Sequence, residues 1–219
     1  MNTARAYKHA LRTDYMVFIE ACFGTLNPGV PFQDTWHLHA VAEVLRRVDT
    51  GEIRRSIINI PPRSGKSIMT TIGYSAWRHG HDPRTRIICV SSDDSLVRAL
   101  AASYCAIVKS EWFSQAFPRF RVRRGGDRAT ETNTTLRGYR YGVSIGGSAL
   151  GRGADLIIAD DAMSPTAALS DAVRQRQLDM WNTGIRTRLD NKAEGAIIIV
   201  SQRLHQDDLV GHLTAEEAA

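Results

Sequence analysis

The sequence predicts an α/β domain with a doubly wound, mostly parallel sheet and helices on both faces. Two patterns carry that reading. Arg86-Ile87-Ile88-Cys89-Val90 and Ala196-Ile197-Ile198-Ile199-Val200 are apolar almost throughout, as strands buried on both faces must be. Segments with apolar residues at helical spacing separate such strands, which is the order of a parallel sheet built by crossovers.

The elements follow in order. Residues 1–24 read as one helix with Tyr15, Phe18, Ile19 and Cys22 on one face, and residues 1–34 as a helical lead-in to a domain over 35–219. Asn27-Pro28-Gly29 and Pro31 are turn chemistry. Leu38, Val41, Ala42 and Leu45 place a helix over 35–48, stopped at Asp49-Thr50-Gly51. Ile57 to Ile60 is the first strand, with a helix from Ser67 to about His79. The strand at Arg86–Val90 is followed by a helix from about Asp94 to Lys109, which the Asp93-Asp94 pair caps. Residues 118–146, rich in Arg and Gly, read as hairpins. Residues 154–159 form another buried strand, 170–183 a helix, and 195–201 the last strand.

Composition bounds the function only loosely. The chain has 219 residues, 43% hydrophobic and 23% charged, room for one globular core. A formal charge of +5 fits a polyanion partner without requiring one. Cys22, Cys89 and Cys105 are odd in number and form no C-x-x-C, which argues against a disulfide framework or a zinc cluster and for a reducing compartment. The start, Met1 to Asp14, lacks the apolar run of a signal peptide, and no uncharged apolar stretch approaches a membrane span. The expectation is a cytoplasmic protein with no membrane partner.

The chemistry concentrates at Pro61-Pro62-Arg63-Ser64-Gly65-Lys66-Ser67. A strand leads in, and a helix leads out. Backbone N–H groups from Arg63 to Ser67, at a helix start, can surround a polyphosphate. Lys66 would reach the β- and γ-phosphates and the Ser67 hydroxyl a Mg²⁺ ion. The usual P-loop has Gly where Ile60 stands here, so the match to G-x-x-x-x-G-K-[ST] is partial. Downstream, Leu156-Ile157-Ile158-Ala159 ends in Asp160-Asp161: Asp160 for the metal, and Asp161 for orienting and deprotonating the attacking water. The strand at Arg86–Val90 lies between the two motifs, as in P-loop ATPases with a catalytic acid on the second motif, the ASCE or RecA-like type. ATP and Mg²⁺ are the implied substrate and metal.

Four blocks in sequence order resemble the ATPase half of the large terminase subunit of tailed bacteriophages, the motor that packages DNA. They are Pro61–Ser67; Gly151-Arg152-Gly153-Ala154-Asp155-Leu156-Ile157-Ile158 with Asp160-Asp161; Trp181 with Thr187-Arg188-Leu189; and Ser201-Gln202-Arg203-Leu204-His205-Gln206-Asp207-Asp208-Leu209. The resemblance spans about Trp36 to Leu213. Where the family usually has Trp and Glu in the last block, this chain has Leu204 and Gln206, and Gln202 stands where Arg is common. The resemblance implies that ATP hydrolysis drives double-stranded DNA into a capsid from the bacterial host's cytoplasm. It also implies portal-protein and small-subunit partners and a homo-oligomeric ring when assembled, the alternative being a monomer in isolation. By the same token Ser201-Gln202-Arg203 is the coupling segment, beside the γ-phosphate. Large terminases carry a C-terminal nuclease; only residues 214–219 follow Leu213, so a nuclease is expected to be absent from these residues.

The remaining candidates are weaker. Arg152, between two glycines, is the first choice for an arginine finger reaching a neighbouring subunit, Arg188 the second, and Arg63 a candidate within its own subunit. Gln33, Trp36 and His37 precede the first strand at a distance suited to adenine contact, although Trp36 equally suits the core. His37, His39, His79 and His81 lack completing ligands and read as surface histidines. Arg119, Arg121, Arg123, Arg124 and Arg128, with Phe117 and Phe120, fit either phosphate contact or a solvated hairpin. A helicase-like or recombination ATPase, and a non-catalytic nucleotide-binding scaffold, are the rival readings; the latter rests on Ile60 and Asp161.

Overall fold

Seven strands form one sheet in the order β1-β7-β6-β2-β5-β4-β3 in the computed structural model, which describes residues 3–147, 149 and 151–218. The strands are β1 Arg55–Asn59, β2 Arg86–Ser91, β3 Val122–Asp127, β4 Glu131–Thr134, β5 Tyr139–Ser144, β6 Leu156–Asp160 and β7 Ala196–Ser201. The first five in sheet order are parallel; β4 and β3 continue antiparallel at the far edge.

Alternation along each strand divides the core. Leu156 and Ile158 of β6 join one apolar cluster, and Ile157 and Ala159 join the other. The first cluster is covered by α1 Thr3–Thr13, α2 Tyr15–Leu26, α3 Trp36–Asp49, α4 Gly73–His81, α5 Asp94–Val108 and α6 Glu111–Ala116. The second is covered by α8 Asp171–Met180 with its continuation to Arg188, and by α9 Leu209–Ala218. Between β6 and α8 lies the short α7, Pro165–Ala168.

Several sequence expectations change. The N-terminal helix is two helices, because Asp14 accepts N–H bonds from Met16 and Val17 and so caps α2. The residues expected to form a lead-in share the main core: Leu11, Phe18, Ile19 and Cys22 are buried in the first cluster. The third segment of the Arg- and Gly-rich region is not only a hairpin arm, because β5 pairs in parallel with β2 and so belongs to the main sheet. In the sheet it is β7, not β2, that separates β1 from β6. His79 is fully buried rather than on the surface. Asp93 caps α5 as expected, accepting from the Ser95 and Leu96 amides, and these bonds with the Ser92 and Ser95 hydroxyls hold its carboxyl down at about 2. No helix among the described residues is long and apolar enough to cross a membrane.

Candidate functional site

Parallel strands deliver their C-terminal ends to one edge, and three of those ends meet here. Asn59 pairs with Ser201 and Asp160 with Val200, so the ends of β1, β7 and β6 are level. Ligand sites in open α/β sheets lie beyond such ends.

From β1 the chain enters the loop at Ile60. Pro61 and Pro62 carry no N–H, so the amides able to face an anion begin at Arg63. Arg63 and Gly65 have φ of 63° and 78°, which turns the peptide planes between them into a concave surface. Gly65 suits that left-handed backbone. The Ser64 hydroxyl donates to the Pro61 carbonyl at 2.7 Å, and His37 Nε2 donates to the Ser64 carbonyl at 3.2 Å. His37 is thus half-buried against the loop instead of on the open surface.

The helix after the loop opens with a π-helical turn, Ile68–Ile72, before α4. Such turns often mark functional sites. Here the turn presents Thr71, whose hydroxyl donates to Asp160 Oδ2 at 2.8 Å. Sequence reasoning missed Thr71; its position four residues after Ser67, on the same helical face, was the available signal.

Asp160 is 1% exposed, and its Oδ1 has no hydrogen-bond partner. Burial pushes its carboxyl above the ordinary range; the Ser67 and Thr71 hydroxyls pull down, the Asp161 charge pushes up and Lys66 pulls down. A buried carboxylate oxygen without a donor, next to a serine hydroxyl, fits a hard divalent cation. No cluster of three or more His, Cys, Asp and Glu among the described residues could hold a metal alone, so a cation at Asp160 would need further ligands from elsewhere.

Asp161 follows with a φ of 44°, rare for a non-glycine residue and fixed by its N–H bond to the Val200 carbonyl at 2.9 Å. Its carboxylate lies 2.7 Å from Lys66 Nζ, and Lys66 is itself 5% exposed. The Gln202 N–H reaches Asp161 Oδ1 at 3.4 Å, so the strand end after β7 touches the acid directly.

The structure does not bring every candidate to this edge. Beside the loop is a cavity of about 300 Å³ lined by Phe23, Phe32, Gln33, His37, Ser64 and Gly65 among others. Trp36 is not among its walls and is 81% exposed, because the first turn of α3 directs it outward while Leu38 takes the core position. Arg63 is exposed in the loop. Arg203 is committed at home: it holds Asp208 at 3.1 Å and donates to the His205 and Gln206 carbonyls. Ser201 ends β7 and accepts the Ile60 N–H through its carbonyl.

Arg152 and Arg188 precede β6 and β7 in the chain and so enter the sheet from the edge opposite the loop. Arg152 is not the free side chain its flanking glycines suggested. It makes two bonds to the Glu131 carboxylate, at 3.0 and 2.9 Å, and its guanidinium lies 4.1 Å from the Tyr141 ring centroid. Arg188 Nη2 donates to Thr187 Oγ1.

No family model matches the chain, and no curated protein matches it. Among solved structures it is similar to the HK97 bacteriophage large terminase, with a TM-score of 0.63 at 15% identity over 94% of this chain and 41% of that one. It is also similar to the large terminase ATPase domain of Thermus phage P74-26, with a TM-score of 0.50 at 17% identity over 78% of this chain and 71% of that one. At these identities the likeness is one of fold, and the chain spans about two fifths of the HK97 protein's length. The doubly wound, RecA-like fold expected from sequence is present.

Proposed function

We propose that this chain is the ATPase part of a phage large terminase, hydrolysing Mg-ATP to drive double-stranded DNA into a capsid. One observation carries the reading: Lys66, Ser67, Asp160, Asp161 and the Gln202 amide converge at one sheet edge. The terminase fold of the chain supports the packaging role.

The residues divide the work by position. Amides from Arg63 to Ser67 take the phosphate oxygens, with Pro62 holding the loop's entry and Arg63 adding charge within its own subunit. Gln33 and His37 border the cavity that takes the base. Ser67 and Asp160 Oδ1 would hold Mg²⁺, which would supply positive charge against the charge developing on the phosphate. Lys66 exchanges Asp161 for the γ-phosphate. The released Asp161 carboxylate accepts a proton from water as the water oxygen bonds to the γ-phosphorus and the bond to the bridging oxygen of ADP breaks. Gln202, bonded through its N–H to Asp161, registers the change and passes it along the Ser201-Gln202-Arg203 segment.

The partners belong to the same reading: duplex DNA, a portal protein, a small subunit and further copies in a ring, in the host cytoplasm. ATP turnover by the purified chain, measured with and without duplex DNA and abolished by Lys66→Ala, tests it. Turnover unaffected by that substitution would place the site elsewhere.

A further inference from the structure

The N-terminal helices reach the nucleotide edge through one hydroxyl. The π-helical turn Ile68–Ile72 joins Ser67 to α4, and four of its five residues are β-branched. Such side chains resist α-helical winding, so the turn depends on what holds it. Three contacts from α2 bear on it. Tyr15 donates its hydroxyl to the Met69 carbonyl, within the turn. Ile19 packs on Gly73, whose N–H closes the turn onto the Ile68 carbonyl. A Cβ on Gly73 would lie 2.4 Å from Ile19 Cδ1 and 2.4 Å from the Ile68 oxygen. The Tyr15 ring stands edge-on to Tyr74 and Trp77, with centroids at 6.2 and 5.2 Å. Burial pushes the Tyr15 phenol well above its ordinary range, so its hydroxyl stays a donor.

The same turn also serves the buried acid. Thr70 donates its hydroxyl back to the Lys66 carbonyl at 2.8 Å, and Thr71 donates to Asp160 Oδ2 at 2.8 Å. Thr71 thereby fixes the Asp160 carboxylate and leaves Oδ1, which has no donor, as the oxygen free for a cation. Rewinding the turn as α-helix would change the angle between successive side chains and move Thr71 relative to Asp160. One turn is thus held by α2 and in its turn orients the acid.

We propose that Tyr15 is a positioning residue for the Asp160 metal site: its hydroxyl, through the Met69 carbonyl, holds the π turn that aims Thr71 at Asp160. The metal role rests on the ATPase reading; the mechanical link from Tyr15 to the turn does not. Partners that stabilise a metal ligand from outside its coordination sphere set its orientation, and their loss weakens metal binding.

Tyr15→Phe removes the donor and keeps the ring. Binding of a fluorescent, non-hydrolysable ATP analogue, titrated with Mg²⁺, reads the metal site without turnover. The Mg²⁺ midpoint should rise at least about threefold in Tyr15→Phe and roughly tenfold in Thr71→Val, while metal-free affinity for the analogue stays unchanged. The double variant should have no higher midpoint than Thr71→Val, because Tyr15 acts through that residue. Cys22 is fully buried in α2, so Cys22→Ala should lower stability without moving the midpoint. Hydrogen exchange at the Gly73 amide reports the turn with no nucleotide present. It should quicken by roughly tenfold in Tyr15→Phe and not in Cys22→Ala. Unchanged Gly73 exchange, an unmoved midpoint in Tyr15→Phe, or effects that multiply in the double variant would each overturn the proposal. Absent Mg²⁺-dependent binding in the wild-type chain would sink the ATPase reading and the metal role together; failure of this proposal alone leaves wild-type binding intact.

Discussion

Lys66 Nζ lies 2.7 Å from the Asp161 carboxylate, so the two groups proposed to act on the γ-phosphate are a direct ion pair. Both are held from neighbouring strands, by the loop after β1 and by the bond from Asp161 N–H to Val200. On the proposed function the pair makes nucleotide binding a competition, because phosphate would have to displace a carboxylate.

From this follows a separation of phenotypes. On the proposed mechanism, Asp161→Asn removes the competitor and the base together. It should bind ATP at least as tightly as wild type while hydrolysis slows by about 10²–10⁴-fold. Lys66→Ala should lose nucleotide affinity. Equilibrium binding and single-turnover hydrolysis read the two effects independently; weakened binding in Asp161→Asn would refute the competition.

Asp160, proposed for the metal, is also half of a buried structural pair with Thr71. Thr71→Val leaves Asp160 Oδ2 without its donor, which should cost roughly 1–3 kcal/mol in denaturant unfolding. Asp160→Asn should weaken the magnesium dependence of turnover. Unchanged stability in Thr71→Val would mean that the hydroxyl bond contributes little.

His79 predicts a pH dependence. Its Nε2 donates to the Thr85 carbonyl at 2.9 Å, which leaves Nδ1 to accept from the Tyr104 hydroxyl at 2.6 Å, an arrangement only the neutral ring can make. Burial, helped by the Arg140 and Arg78 charges, pushes its pKa down to about 4. The unfolded chain therefore binds the proton first. The stabilisation is complete above pH about 6.5 and is lost as pH falls toward about 4, a swing of about 3 kcal/mol. Denaturant unfolding at neutral and mildly acidic pH measures it, and His79→Asn should flatten that part of the profile.

Arg152 predicts a stability effect in place of a catalytic one. Arg152→Ala leaves the buried Glu131 carboxylate with the Asn133 amide but without its ion-pair partner, and should destabilise the chain by roughly 3 kcal/mol. Adding Glu131→Gln should recover much of that loss. Mixing Arg152→Ala with Lys66→Ala should restore no activity; recovery in the mixture would show that Arg152 leaves Glu131 to serve a neighbour.

His37 pins the Ser64 carbonyl and borders the cavity proposed for the base. His37→Ala should raise the KM for ATP by roughly tenfold with little change in kcat. A fall in kcat alone would assign the residue another role.

The amino-acid sequence by itself determined the strand-loop-helix around Gly65-Lys66-Ser67, the acid pair ending β6 and the alternation of buried strands with helices. Each is a local pattern, set by residues a few positions apart. The break at Asp14 was legible in principle but concealed by continuous helical periodicity on either side. What depended on distant pairing was decided only by the tertiary structure. β5 reads like a hairpin arm until its register with β2 makes it parallel, and nothing near Arg140 in the chain specifies that register. Arg152 looks free between its glycines because Glu131, which holds it, lies 21 residues away. His79 looks like a surface histidine because Tyr104 is 25 residues away. Leu38 takes the core position its spacing gave it, while Trp36 turns outward through the direction in which α3 meets the sheet. Local spacing fixes which groups can serve phosphate chemistry; the packing of the sheet decides which of them still have a free hand.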